Sequence, residues 1–191
     1  MDGAKVIPAL IPGVILAGGR SRRMGTDKAF VLLHGRPLIA HVLARLTPQV
    51  SAVAINGDPA ALAMFARPVL PDSVGGQPGP LAGVLAALGW AAKQGRAYVL
   101  TVPVDTPLLP FDLAVRLGRG GVARSGGRLH PVIATWPVSA RTLIAAALAR
   151  GENRVGVVAA EVGLVPVEFA EAALRNLNTP GDVAQLASAS R

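Results

Sequence analysis

Short apolar runs alternate with amphipathic stretches along the chain, and this alternation predicts strands and helices in turn. The predicted strands span Gly13–Ala17, Ala52–Asn56, Pro68–Leu70, Ala97–Val102 and Val132–Trp136. The predicted helices span Pro37–Leu46, Pro59–Phe65, Pro80–Lys93, Pro110–Leu117, Ser139–Arg150 and Pro180–Ala187. Strands that alternate with helices across short connections indicate an α/β fold: a Rossmann-like open sheet, mostly parallel, with helices on both faces.

The length of 191 residues suits a single domain with its own core. Neither an internal repeat nor a low-complexity linker divides the chain. Residues 1–12 are predicted to be an N-terminal extension, and residues 13–191 to form the domain.

The first predicted strand runs into a loop rich in glycine and positive charge, within Val14–Lys28. Gly18 and Gly19 lack a Cβ atom, so their backbone N–H groups can approach a ligand closely. Arg23 and Lys28 are among the cations that follow. The pattern indicates a phosphate-binding loop, although it is neither a Walker A motif nor a GxGxxG fingerprint.

Polar side chains also follow three other predicted strands. Asn56, Asp72 and Asp105 each come just after an apolar run. Open α/β sheets bind ligands at the carboxyl ends of their strands, so we expect these side chains and the glycine loop to converge on one edge.

The amino-acid composition limits the classes of ligand and partner that this chain can bind. A net charge of +8 favours acidic ligands. Only 4% of the residues are aromatic and the arginines are scattered, which disfavours a nucleic-acid surface. The chain has no cysteine, which excludes disulfides and thiolate chemistry.

No apolar run reaches the roughly 18 residues that a membrane span needs. Lys5–Ala17 has features of a signal peptide, but Pro8 and Pro12 interrupt it and cleavage near Ala17 would remove the first strand. We therefore predict a cytoplasmic protein that does not bind membranes.

The string LAGGRSRRMGTDK, Leu16–Lys28, resembles the LAGGxSxRMGxDK signature of nucleotidyltransferases, most closely that of the molybdenum cofactor guanylyltransferases. The stretches GPLAG, PVDTP and NTPGD, which begin at Gly79, Pro103 and Asn178, resemble further motifs of that family. The resemblance implies a GT-A-like nucleotidyltransferase fold with a nucleotide-binding half, 13–110, and an acceptor-binding half, 111–191. Gly181 departs from the family pattern, which has glutamate there.

The resemblance also implies roles for individual residues. It assigns catalysis to Arg23, Lys28 and Asp105, and makes Asp105 the ligand of a Mg²⁺ cofactor. A carboxylate at a strand tip is a hard oxygen ligand that suits Mg²⁺. The implied GTP site comprises Leu16, Ala17, Gly18, Gly19, Arg23, Lys28, Asn56, Asp72, Gly79 and Asp105. Asp27 is expected to orient Lys28 or to cap a turn.

Arg128, His130 and Asn178 are the implied contacts of the acceptor. Arg124–Arg128 has the composition of a hairpin, and His130 follows it. Taken alone, a histidine before a proline is more often structural.

The implied reaction transfers GMP from GTP to the terminal phosphate of molybdopterin, giving molybdopterin guanine dinucleotide and pyrophosphate. Transient contact with molybdenum-insertion proteins and apo-molybdoenzymes follows from that role. The alternatives are a cytidylyltransferase acting on the same acceptor, a sugar-phosphate nucleotidyltransferase, and a nucleotide-binding protein without turnover.

Overall fold

A computed structural model describes residues 11–18, 27–72 and 79–189. Nine strands are assigned within these ranges: β1 Gly13–Leu16, β2 Leu32–Leu33, β3 Arg36–Pro37, β4 Val53–Asn56, β5 Val69–Leu70, β6 Tyr98–Pro103, β7 Gly121–Ser125, β8 Arg128–Pro137 and β9 Val165–Phe169. Seven α-helices accompany them: α1 Leu38–Leu46, α2 Pro59–Leu62, α3 Pro80–Lys93, α4 Leu113–Leu117, α5 Arg141–Ala149, α6 Val155–Val162 and α7 Pro180–Ala189.

The central sheet has the strand order β5-β4-β1-β6-β8-β7-β9. β1 pairs in parallel with both β4 and β6, β4 with β5, and β7 with β9. Only β8 runs antiparallel to its neighbours β6 and β7. The predicted open and mostly parallel sheet is confirmed.

Helices cover both faces of this sheet because its central strands are apolar on both sides. Ile15 of β1 packs into one cluster with α1 and α4. Val14 and Leu16 point the other way, into a cluster with α3, α5 and α6. All four residues of β1 are buried, as expected of a central parallel strand.

Three elements of the second half escape prediction from the sequence. β7 and β9 are strands although β9 contains Pro166, which is tolerated because β9 lies at the edge of the sheet. α6 is rich in valine, a residue that favours strands, yet it is a helix. Val155, Val158 and Ala159 are buried at helical spacing, so tertiary packing overrides local propensity.

The hairpin predicted over Arg124–Arg128 is present as the connection between β7 and β8. β8 begins at Arg128, earlier than predicted, although Pro131 cannot donate to a ladder. The register between the two strands shifts at Val122 and Ala123, which places Pro131 within a bulged segment of β8 that has no partner residue on β7. The short hairpin of β2 and β3 was not predicted either.

Several helix starts differ from the prediction. α1 begins at Leu38, with Pro37 as its N-cap, and α4 begins only at Leu113. At the amino end, Ile11 is buried and its carbonyl oxygen accepts a hydrogen bond from the N–H of Ser51. The packed part of the chain therefore includes the last residues of the segment predicted as an extension.

Among the described residues, no helix combines the length and apolar character required to cross a membrane.

Gly83 in α3 gives a test of how closely this helix packs on the sheet. A Cβ atom at Gly83 would lie 2.4 Å from Oδ1 of Asn56. We expect Gly83→Ala to destabilise the fold by about 1–3 kcal/mol, the usual effect of overpacking, measured by urea denaturation.

Gly89 in the same helix is the matched control. A Cβ there meets only Nε of Arg141, at 3.9 Å. Gly89→Ala should therefore stabilise the protein by about 0.5–1 kcal/mol through helix propensity. Equal effects of the two substitutions would contradict close packing at Gly83.

Candidate active site

The carboxyl ends of four parallel strands meet at one edge of the sheet, as the chemistry of their tips led us to expect. Leu16 at the end of β1 is in register with Asn56 of β4 and Pro103 of β6. Asn56 is in turn in register with Leu70 of β5. The tips that carry Gly18, Asn56, Asp72 and Asp105 therefore lie side by side.

A cavity of about 540 Å³ opens at this edge, a volume typical of small-molecule sites. It joins residues of the predicted nucleotide half to residues of the predicted acceptor half. Its lining includes Leu16, Ala17, Gly18, Lys28 and Asp105 from the first half, and Arg128, His130, Asn176 and Asn178 from the second.

Lys28 and Asp105 form an ion pair inside the cavity. Nζ of Lys28 donates to Oδ2 of Asp105 at 2.8 Å and to Oδ1 of Asn178 at 2.7 Å. The side chains of Lys28 and Asp105 are 22% and 14% exposed, so the pair is shielded from bulk water but reachable by a ligand. The structure thus unites three predicted site residues that are far apart in the chain.

The second oxygen of Asp105 suits the predicted metal. Oδ1 is buried and has no hydrogen-bond partner among the residues that the structure describes. An unpaired buried carboxylate oxygen is costly unless a cation or donor approaches it. Within the same residues, no group of three or more acidic, histidine or cysteine side chains could hold a metal ion. A cation here would therefore take most of its ligands from water and substrate, which is usual for Mg²⁺.

The backbone around Asp105 is fixed by the segment 176–178. The hydroxyl of Thr106 donates to Oδ1 of Asn176 at 2.9 Å. The N–H of Leu177 donates to the carbonyl oxygen of Asp105 at 2.8 Å. The loop after β6 and this later segment are thus joined at adjacent residues.

Asn56 supports Asp72. Its side-chain amide, 2% exposed, donates to the carbonyl oxygen of Leu70 and to Oδ1 of Asp72, both at 2.9 Å. A Cβ atom at Gly18 would lie 3.7 Å from Oδ2 of Asp72, so this carboxylate borders the glycine turn. Both N–H groups of Asn56 are used within the protein. Its contact with guanine or ribose stays a prediction.

Other residues of the predicted nucleotide site fall at its margin. Gly79 is the N-cap of α3, with a φ of 71° that glycine tolerates, and Pro80 beside it lines the cavity. Asp27 caps the turn Lys28–Phe30 by accepting from the N–H of Ala29, which confirms one of its two expected roles. Gly19 and Arg23 lie outside the described residues.

His130 lines the acceptor side of the cavity. Its Nε2 lies 2.7 Å from Oγ of Ser125, which is buried in the neighbouring strand β7. Burial lowers the pKa of His130, and the charge of Arg128 lowers it further. The imidazole is therefore neutral at neutral pH, and it can donate a hydrogen bond without carrying charge.

Asn178 begins a capping arrangement that precedes α7. Oδ2 of Asp182 accepts from the N–H groups of Asn178 and Thr179, each at 2.9 Å. These bonds lower the pKa of Asp182. The hydroxyl of Thr179 accepts from the N–H of Asp182 in return. Asp182 and Thr179 thus cap the start of α7 reciprocally, although Gly181 stands where the family has glutamate.

Two further residues of the site escape sequence reasoning. Ser125 and Thr106 act through partners that only the fold reveals, His130 and Asn176 respectively. The hairpin register could have indicated Ser125, since a tight turn after β7 brings it close to His130. No signal in the sequence links Thr106 to Asn176.

Known proteins that are similar to this chain show its family. The family model of the MobA-like NTP transferase domain matches residues 13–163. A molybdenum cofactor guanylyltransferase from Cereibacter sphaeroides is 50% identical over 185 residues, which cover 92% of this chain and 95% of that protein. One from Acidiphilium cryptum is 48% identical over 177 residues, covering 89% of this chain and 90% of that protein.

A solved structure shares the fold. The crystal structure of molybdopterin-guanine dinucleotide biosynthesis protein A from Archaeoglobus fulgidus has a TM-score of 0.72 to this chain. The match covers 94% of this chain and 98% of that one, at 21% sequence identity. At this level of identity the likeness concerns the arrangement of strands and helices alone.

The lowered pKa of His130 predicts how stability depends on pH. The unfolded histidine, with its ordinary pKa of 6.5, binds protons more readily than the folded one. Stability should therefore fall as pH drops through 6.5 toward the lower pKa of the folded state. Urea denaturation of the parent and His130→Gln between about pH 7.5 and about pH 5 should show a steeper loss for the parent. Parallel pH profiles would contradict a neutral, half-buried His130.

Proposed function

Because this chain belongs to the molybdenum cofactor guanylyltransferase family, we propose that it transfers GMP from GTP to the terminal phosphate of molybdopterin. The products are molybdopterin guanine dinucleotide and pyrophosphate. The observation that carries the proposal is the pair of Lys28 and Asp105, held at 2.8 Å in a cavity that also presents Arg128 and His130. One cavity can thus receive a nucleotide and a second phosphorylated ligand together.

The nucleotide is assigned to the edge formed by β1, β4 and β6. The backbone at Gly18 approaches the phosphates closely because no Cβ atom intervenes. The signature that contains Lys28 and Arg23 supports a role for both at the phosphates. Lys28 would supply a mobile positive charge, and Arg23 a planar guanidinium. Asp72, whose carboxylate accepts a hydrogen bond from Asn56, borders the same turn, and we assign it to the nucleoside.

Asp105 is the residue that would hold Mg²⁺, since its Oδ1 is buried and lacks a partner among the described residues. When bound, the ion would neutralise charge on the triphosphate. Lys28 remains beside the same carboxylate and offsets the charge that develops on the departing pyrophosphate.

The transfer itself needs position more than a base. An oxygen of the acceptor phosphate forms a bond to the α-phosphorus of GTP, and the bond from that phosphorus to the bridging oxygen of the β-phosphate breaks. The electron pair leaves with pyrophosphate. A phosphate acceptor is already ionised near pH 7, so no side chain has to remove a proton. The site therefore contributes orientation and positive charge.

The acceptor is assigned to the opposite wall of the cavity. Arg128 is exposed there and can form paired hydrogen bonds with a phosphate. His130 is neutral, so it can hydrogen-bond to the acceptor while Arg128 supplies the charge. Ser125 fixes the ring through Nε2.

The competing activities share the glycine loop and differ in the nucleotide or the acceptor. A cytidylyltransferase would use CTP with the same acceptor, and a sugar-phosphate nucleotidyltransferase would use another acceptor. A binding protein would release no pyrophosphate. The relatives named guanylyltransferase, about half identical over nearly the whole chain, favour GTP. A cytoplasmic location and transient contacts with molybdenum-insertion proteins and apo-molybdoenzymes stay predictions.

Removal of the Asp105 carboxylate should abolish the transfer. We expect Asp105→Ala to lower the rate of dinucleotide formation by at least about a hundredfold, because the site loses the carboxylate that we propose holds Mg²⁺. The measurement is dinucleotide formation from GTP, Mg²⁺ and molybdopterin, with circular dichroism to establish that the variant is folded.

Asp112→Ala is the matched control for that experiment. Asp112 is exposed and its side chain makes no capping hydrogen bond at the start of α4. Its replacement should leave the rate unchanged. A folded Asp105→Ala variant that works at the parent rate would refute the assignment.

Nucleotide selectivity separates the related activities. Pyrophosphate release should be fastest with GTP when ATP, CTP, GTP and UTP are compared in the presence of Mg²⁺ and molybdopterin. Preference for CTP would favour a cytidylyltransferase, and release with none of the four would favour a binding protein. Chelation of Mg²⁺ should stop the reaction, and added Mg²⁺ should restore it.

A further inference from the structure

The segment Asn176–Asn178, here called the 176–178 segment, contacts Lys28 and the loop that carries Asp105. Asn176 accepts from the hydroxyl of Thr106 at 2.9 Å. The N–H of Leu177 donates to the carbonyl oxygen of Asp105 at 2.8 Å. Oδ1 of Asn178 accepts from Nζ of Lys28 at 2.7 Å. Three consecutive residues of the second half thus bind the loop after β6 and the lysine of the first half.

The contacts of this segment are anchored in the protein interior. The side chains of Thr106 and Leu177 are both fully buried. Leu177 packs in a small cluster with Leu33, Leu38 and Leu186, which joins the segment to β2, α1 and α7. The N–H of Asn178 is also held by Asp182. The segment is therefore a fixed support for the residues that it contacts.

We propose that the 176–178 segment positions the metal-binding and phosphate-binding residues of the nucleotide side. Asn176 holds Asp105 in place through Thr106, and Asn178 orients Lys28. This inference rests on the proposed function, because it gives the positioned groups a role toward Mg²⁺ and GTP. It differs from the role that the family resemblance implies for Asn178, contact with the acceptor. The reason is that the side-chain carbonyl oxygen of Asn178 already accepts a hydrogen bond from Lys28.

The physical effect is preorganisation. The backbone N–H of Leu177 and the hydroxyl of Thr106 fix neighbouring points of the loop, so the Asp105 carboxylate keeps one orientation toward the cavity. Without these bonds the loop would occupy the competent arrangement for a smaller fraction of the time. The apparent dissociation constant for the nucleotide would rise in inverse proportion to that fraction. The segment would thus strengthen nucleotide binding without touching the nucleotide.

Binding of GTP in the absence of acceptor tests this directly, because no acceptor contact can contribute. Isothermal titration calorimetry with GTP and Mg²⁺ should give a dissociation constant about two- to tenfold higher for Thr106→Val than for the parent, the range expected for one lost hydrogen bond. Thr106→Ser keeps the hydroxyl, so it should restore most of the affinity. A Thr106→Val affinity equal to that of the parent, or loss of affinity in Thr106→Ser as large as in Thr106→Val, would overturn the role of Thr106 and Asn176.

The exposed Asn178 provides a second test that does not disturb a buried group. Asn178→Ala should weaken GTP binding by about two- to tenfold without acceptor. It should also lower kcat, with little change in the KM for molybdopterin. Asn153→Ala, which removes an exposed asparagine from a different loop, should leave both quantities unchanged. Unchanged or tighter GTP binding by Asn178→Ala, with a higher KM for molybdopterin, would return Asn178 to the acceptor site.

The parent protein separates failure of this inference from failure of the proposed function. If the parent binds no GTP in the presence of Mg²⁺, the proposed function fails and the inference fails with it. If the parent binds GTP and transfers GMP while Thr106→Val and Asn178→Ala bind GTP as the parent does, only the positioning role is refuted.

Discussion

The ion pair between Lys28 and Asp105 is the contact on which the site depends. It joins a turn near the first strand to the tip of β6, across a distance in the chain that only the fold closes. Parallel pairing of β1 with β6 makes the contact possible, because both strands then end at the same edge. The pair also leaves one oxygen of Asp105 buried and unpartnered among the described residues, which suits a cation.

The second half of the chain completes this edge. Antiparallel β8 lies beside β6 and brings Arg128 and His130 to the cavity. The segment before α7 returns to the same place, where Asn178 meets Lys28. The cavity thus lies between the two halves of the chain, one proposed to receive a nucleotide and the other a phosphorylated acceptor. Direct transfer between two bound phosphates requires such an arrangement.

Close packing of α3 against the sheet restricts which residues fit beneath the cavity. Gly83 allows α3 to lie against Asn56, and Asn56 then donates to Asp72. Asn56, which was predicted to contact the nucleotide, therefore also holds the side chain of Asp72. His130 is also tied to its surroundings: burial and the charge of Arg128 lower its pKa, and its Nε2 lies within hydrogen-bond distance of buried Ser125. The side chains that face the cavity, such as Asp72 and His130, therefore have buried partners that the sequence did not reveal.

The sequence by itself determined three features: the alternation of strands and helices in the first half, the glycine loop, and the polar residues at the strand ends. Each of these depends on the local spacing of apolar, glycine and charged residues. It also carried the two motifs from which Lys28 and Asp105 were predicted, LAGGRSRRMGTDK and PVDTP. Only the tertiary structure decided that β8 is antiparallel and that valine-rich α6 is a helix. It also decided that Asn176 and Asn178 contact Thr106 and Lys28. Those outcomes depend on burial and on contacts between residues far apart in the chain. The free energy of such contacts cannot be read from a local sequence pattern.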